Sequence, residues 1–459
     1  MMNDQRSKKI TIVGLIIPFY LGMLKKMRTA GKVVQMTGSG KEYLATNLWI
    51  ATVLEKMGYE VEQLCEINGE ILPEHITGDT VMINVYTATA SKCYELAAKL
   101  KDRKVIMGGP HIAHYYEEAS QHADHVVVGE FENVIDAILK GEDKRKIIFG
   151  EQVKDLNALP FMNYGLLDFK PDFVRPFFSR GCNHQCSFCD IPTIWGEGWR
   201  TSSVDRMVAE FKSMADFFGG EVPRVDFMEP NWIASSKRIR EFLQRTRAEG
   251  IKIKHMGADC TLNFINDQEL LKEMKHHKIT LGIGFETINP VTRSQKENQL
   301  NKTKEIEFYN DAIKKLQDQG VWVHGFFSYG YEEDTPDSLR IIEDFVHSSK
   351  MNSFALSILT PFGVSPLGQK MRAEQRILTE NWDYYDYLHF VYRPKSMTAY
   401  EAQKSFNEFL IKYYTPLKGA GKLIQGRVKE GFKHIIMSSF FNKLHKHTGP
   451  YLEFLKNAK

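Results

Sequence analysis

The chain has 459 residues, 43% hydrophobic and 25% charged, the proportions of a soluble globular protein, and is too long for one ordinary core. A net charge of +3 gives no strong general attraction to nucleic acid. Six cysteines, three of them in one loop, do not make a disulfide framework and suit a reducing, cytoplasmic compartment.

Arg6, Lys8 and Lys9 precede an apolar run, Ile10 to Met23, that looks like a signal sequence. It is short for a bilayer span, lacks a small-residue cleavage pattern and is followed by Lys25, Lys26 and Arg28. It reads as a buried first strand, Ile10 to Pro18, and no transmembrane segment is expected. From there to about Lys140, short apolar runs alternate with helical stretches, the pattern of parallel strands joined by crossover helices. Strands are predicted at Glu60 to Leu64, Val81 to Tyr86, Lys104 to Met107 and His125 to Val128, with helices at Tyr43 to Lys56 and Ser91 to Lys99. Open sheets of this kind bind ligands over the carboxyl ends of their strands. Thr87 and Thr89 stand after the third strand, Gly108, Gly109, Pro110 and His111 after the fourth, and Gly129 and Glu130 after the fifth. Such residues also make ordinary turns, and His111 reads best as a turn histidine bonded to backbone.

Gly150 to about Phe173 is a connector with little periodicity. Val174 to Phe178 opens six strand-and-helix units, with further strands at Arg224 to Met228, Lys252 to Gly257, Thr280 to Phe285, Trp322 to Phe327 and Ser353 to Leu359. Helices are predicted at Val204 to Phe218, Ser236 to Glu249, Asp267 to His276, Lys304 to Gln319 and Thr335 to His347. Six such repeats make a partial barrel, whose reactive residues belong at strand carboxyl ends. The first strand delivers Cys182, Cys186 and Cys189, spaced by three and then two residues. Three thiolates on one tight loop can take three irons of a cubane and leave the fourth open, whereas structural iron–sulfur and zinc sites close their shells with four ligands. Cys65, Cys93 and Cys260 stand alone in apolar surroundings and read as small buried hydrophobes.

The stretch from Arg180-Gly181-Cys182 to Phe188-Cys189 resembles the cluster loop of the radical S-adenosylmethionine (SAM) enzymes. The resemblance implies a 4Fe-4S cluster on the three cysteines, SAM chelated to the open iron, and chemistry through a 5′-deoxyadenosyl radical. It implies SAM contacts from Phe188, from Glu229 and Asn231 after the second strand, from Glu286 in a Gly-Ile-Gly-Phe-Glu-Thr element with Lys296 following, and from Tyr329 after the fifth. The Gly108 to His111 and Val127 to Glu130 stretches resemble the cobalamin-binding domain preceding the barrel in the class of the anaerobic protoporphyrin cyclase and the hopanoid methylases. Cobalamin contacts are thereby implied for Thr87, Thr89, Gly108, Gly109, Pro110, His111, Gly129 and Glu130. Met36 to Lys41 lacks the histidine that some such domains give to cobalt, which implies cobalamin without a protein nitrogen on the metal. Thr360-Pro361-Phe362 through Thr398 resembles the tail of the same class.

The expected architecture is α/β: an N-terminal doubly wound, Rossmann-like cobalamin-binding domain (1–150), a linker (151–173), a partial (β/α)6 radical SAM barrel (174–369) and a helical C-terminal cap (370–459). The implied reaction is methylation of an unactivated carbon, while cyclisation, rearrangement or oxidation would use the same parts without methyl transfer. Small-molecule, lipid and peptide substrates all occur among relatives, and an electron donor such as flavodoxin or ferredoxin is implied, with no nucleic acid. Ala399 to Lys459 is basic and aromatic and reads as helices docked by their apolar faces, in preference to helices lying on a membrane or RNA.

Overall fold

The computed structural model describes residues 9–16, 43–290, 292, 306–424 and 428–458. Met36 to Lys41 and Lys296 lie outside the described residues. The first domain is a sheet of β1 (Ile10–Gly14), β2 (Val61–Cys65), β3 (Thr80–Asn84), β4 (Lys104–Gly108), β5 (His125–Gly129) and β6 (Ile147–Gly150). Its order is β2-β1-β3-β4-β5-β6 and every pairing is parallel. Helices α1 (Ala45–Lys56), α2 (Ala90–Ala98), α3 (Pro110–Ala119) and α4 (Ile135–Lys140) make the crossovers. Alternate strand residues feed opposite faces: Ile10, Ile12, Met82, Ile106 and Val127 enter one core, and Val13, Val81, Ile83, Val105 and Val126 the other. Both faces are thus covered, which is why these strands read as unbroken apolar runs.

β6 was not expected. It is four residues long, follows the charged stretch Glu142 to Lys146, and leaves Phe149 59% exposed at the sheet edge, so it carries little apolar signal.

The second domain begins with β7 (Phe173–Val174) and a small antiparallel hairpin, β8 (Ser179–Gly181) with β9 (Trp199–Thr201), which encloses α5 (Ile191–Trp195). Then come α6 (Val204–Phe218), β10 (Glu221–Asp226), α7 (Ser236–Ala248), β11 (Lys252–Cys260), α8 (Gln268–Met274), β12 (Ile279–Glu286), α9 (Ile306–Asp318), β13 (Trp322–Tyr329), α10 (Pro336–Ser348) and β14 (Ser353–Ile358). The six-stranded parallel sheet runs β14-β13-β12-β11-β10-β7, an open half-barrel. Local signals set the helix ends: Ser203, Ser235 and Asp267 cap the starts of α6, α7 and α8, and Gly219 ends α6 in a left-handed turn at φ +86°.

The first barrel strand is shorter than the predicted Val174 to Phe178. Pro176 has no N–H for the ladder, so regular pairing stops at Val174, although the Pro176 carbonyl still accepts from the Met228 N–H at 3.0 Å. The cysteine loop therefore leaves from the hairpin and not from the end of a full strand.

After β14 the chain forms α11 (Pro366–Ala373) and then the helical cap: α12 (Ala399–Tyr413), α13 (Pro416–Ile424), α14 (Val428–His447) and α15 (Gly449–Asn457). Gln403 and Asn407 on α12, with Thr448 before α15, form a buried polar chain that also holds the backbone at Leu388 and Phe390.

Residues after the carboxyl ends of β4 and β5 meet the cysteine hairpin and the loop after β14. His114 lies 3.7 Å from Asp190 and accepts from the Val364 N–H at 3.3 Å, while Tyr115 accepts from the Gly363 N–H at 2.9 Å. The carboxyl ends of the first sheet and the mouth of the half-barrel thus face one another.

Candidate active site

Cys182, Cys186 and Cys189 are half-buried thiols, in no disulfide, on one loop. The loop is closed at its neck by the β8–β9 pairing, where Gly181 is obligatory: a Cβ there would lie 2.0 Å from the Gly198 carbonyl oxygen. Inside it, the Cys189 N–H donates to the Cys186 carbonyl at 3.0 Å and the Leu367 N–H donates to the Ser187 carbonyl at 2.9 Å. Asn231 ties the loop to the barrel, giving its amide N–H to Asn183 at 3.3 Å and accepting from the Thr261 N–H at 3.3 Å.

Burial pushes the Cys189 thiol up to about 12, with Asp190 and Glu286 adding to the rise, and burial also raises Cys182. Such thiols ionise only beside a cation, and an all-sulfur donor set suits iron–sulfur chemistry. Among the described residues no three His, Cys, Asp or Glu side chains gather around one ion position. A cubane makes no such demand, since its thiolates bind separate irons.

Glu229 is buried at the end of the second barrel strand. Its Oε2 accepts from the Ser179 hydroxyl at 2.5 Å and from Arg238 at 3.4 Å, whereas Oε1 has no protein partner. Burial raises this carboxyl above the usual range, against the pull of Arg238. Glu286 follows a β-bulge and has φ +60°, a strained value for a side-chain-bearing residue, and accepts from the Ser328 hydroxyl at 3.0 Å. Phe188 is half-buried on the loop. The Tyr329 hydroxyl is engaged elsewhere, with Met397 at 3.2 Å and Ser405 at 3.0 Å, so it joins the barrel to α12.

Two residues not foreseen as a pair line the concave face. Asp226 and Asp259 lie over the glycines paired with them, since a Cβ on Gly257 or Gly282 would come within 2.6 and 2.1 Å of their respective Oδ1 atoms. Asp259 keeps solvent access, yet crowding by neighbouring atoms and the Asp226 charge push its carboxyl up to about 6.

The expected cobalamin residues divide. Gly108 gives its carbonyl to the Val85 N–H at 2.8 Å, and Pro110 starts α3. Gly109 has φ +110°, and a Cβ there would strike Asn84 and Val85 within 2.4 to 2.8 Å, so the glycine is required by the protein's own β3. A bulky residue at this position would break the turn before it touched any ligand. Gly129 has φ +87°, and a Cβ there would come 3.3 Å from the Gly150 carbonyl oxygen on β6. Thr87 is buried in a short turn, Thr87–Thr89, whose last residue, Thr89, accepts from the Tyr86 N–H and donates to the Tyr86 carbonyl. His111 is fully buried, its Nε2 2.8 Å from the Tyr94 hydroxyl, between the rings of Tyr115 and Trp382. Its side-chain bond is thus to tyrosine and not to backbone, and burial lowers it to about 3.

Glu130 is the clearest departure. It is 3% exposed, and its carboxylate binds Arg180 and Arg200 and accepts from the Val153 N–H at 2.9 Å. Arg180 also binds Glu132, which accepts from the Trp49 indole at 2.9 Å, and its guanidinium lies 5.0 Å from the Trp195 ring. Burial opposes the Arg180 charge, but Glu132 and Glu130 together hold it above its usual value. With both oxygens committed, Glu130 is a clamp between the first sheet and the cysteine hairpin, not an open ligand group. Pairing of Glu130 and Glu132 with arginines in another domain leaves no local trace in sequence; the only signal was an arginine two residues before Cys182.

A profile of the Radical SAM superfamily matches residues 177–346, which span the cysteine loop and the strands β8 to β13. Residues 177–346 thus form a radical SAM domain. The chain is 25% identical over 427 residues to the bacteriochlorophyllide d C-12(1)-methyltransferase of Chlorobaculum tepidum, covering 89% of this chain and 91% of the relative. It superimposes on the radical SAM methyltransferase TsrM of Kitasatospora setae with a TM-score of 0.59 and 15% identity, covering 80% and 76% of the two chains. The match to the cobalamin-dependent radical SAM enzyme OxsB has a TM-score of 0.64 at 13% identity and covers 98% of this chain and 72% of that one. The chain thus shares the fold of these proteins, and its radical SAM domain implies a 4Fe-4S cluster and SAM as cofactors. Among the described residues no helix is long and apolar enough to cross a membrane.

Proposed function

We propose that this enzyme is a cobalamin-dependent radical SAM methyltransferase acting on an unactivated carbon. The observation that carries the reading is the opposition of two sets of strand carboxyl ends, one above the cysteine hairpin and one around it. When bound, the cluster and SAM supply a carbon radical, and cobalamin carries the methyl group. The chain's own part is to hold the reacting centres in one cleft, which makes the steps unimolecular. Cys182, Cys186 and Cys189 would hold the cluster. The unpartnered Glu229 Oε1 would accept from the SAM ammonium, which would in turn keep that buried carboxylate ionised. Glu286, Asn231 and Phe188 would border the same ligand. Cobalamin would lie over Thr87, Gly108 and Gly129, with His111 too buried to reach cobalt. Its substrate is a small molecule, lipid or peptide, and its reductant a flavodoxin- or ferredoxin-like donor.

The test needs no purified substrate. Enzyme reconstituted with iron, sulfide and cobalamin is incubated with reductant, methyl-labelled SAM and an extract of the producing cell. Methylation yields equal amounts of 5′-deoxyadenosine and S-adenosylhomocysteine with label in product, whereas product formed with 5′-deoxyadenosine alone would replace it by cyclisation or rearrangement.

A further inference from the structure

The helical cap contains a surface that the proposed chemistry does not use. α14 buries Phe441 and Leu444, and α15 buries Tyr451 and Leu455, in agreement with docking by apolar faces. α13 differs. Its inner side meets α14 through glycine: a Cβ on Gly419 would lie 2.6 Å from Ile435, and one on Gly431 would lie 2.6 Å from Leu423. Its outer side presents Leu417, 82% exposed, and Ile424, 88% exposed, at i and i+7 with Gly421 between them. A Cβ on Gly421 would meet nothing within 4 Å. These are the two most exposed large hydrophobic residues among those described. The outward stripe of α14 begins at exposed Phe432, passes half-buried Ile436 and exposed Ser439, and ends at exposed Lys443 and Lys446.

Charge gathers in the same region. Residues 399–459 hold eleven Lys and Arg against four Asp and Glu, while the remainder holds 49 against 53. A net acidic body therefore carries a strongly basic end, and its most exposed apolar side chains stand on that end.

We propose that α13 and the outer stripe of α14 dock this enzyme on an anionic lipid bilayer. A helix with aliphatic residues on one side and lysines beside them lies in the headgroup plane, the apolar side chains entering the acyl boundary and the charges meeting lipid phosphates. A second copy of the chain would oppose one basic end to another, and RNA would leave Leu417 and Ile424 in water. Lys418 is partly engaged by Glu343 at 3.8 Å and by the Tyr413 ring, which fixes α13 to the barrel helix α10. The surface is thus held at a set orientation to the cleft. The inference is independent of the methylation reading.

The test is sedimentation of the full-length enzyme with vesicles of phosphatidylcholine alone or mixed with phosphatidylglycerol. Wild type should pellet with the mixed vesicles only and be released by salt. Leu417→Asp/Ile424→Asp should weaken this by about tenfold or more, while Met57→Asp, at an exposed apolar site on the first domain, should leave it unchanged. Ile424→Trp in an otherwise wild-type chain should shift its added emission to the blue on mixed vesicles, a readout that survives if the double variant folds poorly. Equal binding to both vesicle types, no binding, or unchanged binding by the double aspartate variant would overturn the proposal. So would dimerisation of wild type that the double variant abolishes.

Discussion

Glu130 offers a sharp choice between ligand contact and internal clamp. Replacing it by Ala removes the carboxylate shared by two guanidiniums and an N–H, among groups that are nearly all inaccessible to water. Deleting one partner of a buried ion pair costs about 3–5 kcal/mol, because the other charge stays behind. Here Arg180 would keep Glu132, and Arg200 would keep the carbonyls of Val153 and Trp195, at 2.6 and 3.1 Å. The loss should therefore fall near the lower end, about 3 kcal/mol, and Glu130→Gln, which retains hydrogen bonds but no charge, should lose about half of that. Denaturant unfolding of the cofactor-free proteins gives the midpoints, and iron retained after gel filtration of reconstituted protein reports on the loop. Both should fall in the order wild type, Gln, Ala. A Glu130→Ala protein with an unchanged midpoint and full iron, but no cobalamin affinity, would refute the clamp and restore ligand contact.

Alanine at Cys182, Cys186 or Cys189 should each abolish the cluster while Cys260→Ala keeps it, as iron counts after anaerobic reconstitution will show. His111 is held near 3 by burial against an ordinary 6.5, so the unfolded chain takes up a proton the folded one refuses. Stability should fall as pH drops below 6.5, and His111→Phe should flatten that dependence in unfolding midpoints; in the cobalt(II) spin-resonance spectrum of wild type, no protein nitrogen splitting is expected. Asp259 has the opposite sign: raised from 3.8 to about 6, it destabilises the fold as pH rises through that interval, and Asp259→Asn should remove the effect.

Most of the framework was legible because each barrel strand and crossover helix carries its own period. Strands such as β3 and β13 announce themselves by apolar runs, and α6 by its cap, stripe and terminal glycine. The cysteines were legible because their spacing is local. What escaped depended on distant partners or on elements too short to have a pattern. β8 and β9 have three residues each, and Ser-Arg-Gly against Trp-Arg-Thr offers no alternation to read. Glu130 was assigned to the cofactor because a carboxylate at a strand end looks the same whether it meets a ligand or an arginine 50 positions away. His111 reads as a turn histidine bonded to backbone, and its partner Tyr94 sits on another helix and could be found only in three dimensions.

The antiparallel neck formed by β8 and β9 has a bearing on how such a protein can change over generations. Between Gly181 and Trp199 the chain leaves the half-barrel and returns to nearly the same point, so the register of the barrel strands does not depend on the length of the excursion. Lengthening a closed excursion costs little, since the entropy of closure grows only with the logarithm of its length. Exchanges among Ile191 to Ile194 can therefore leave the barrel register as it is, so long as Asp190 and Trp195 keep their contacts with His114, Arg180 and Arg200. That stretch is a natural place for variation in what the cleft admits, and a practical one for grafting a new specificity onto an unaltered scaffold.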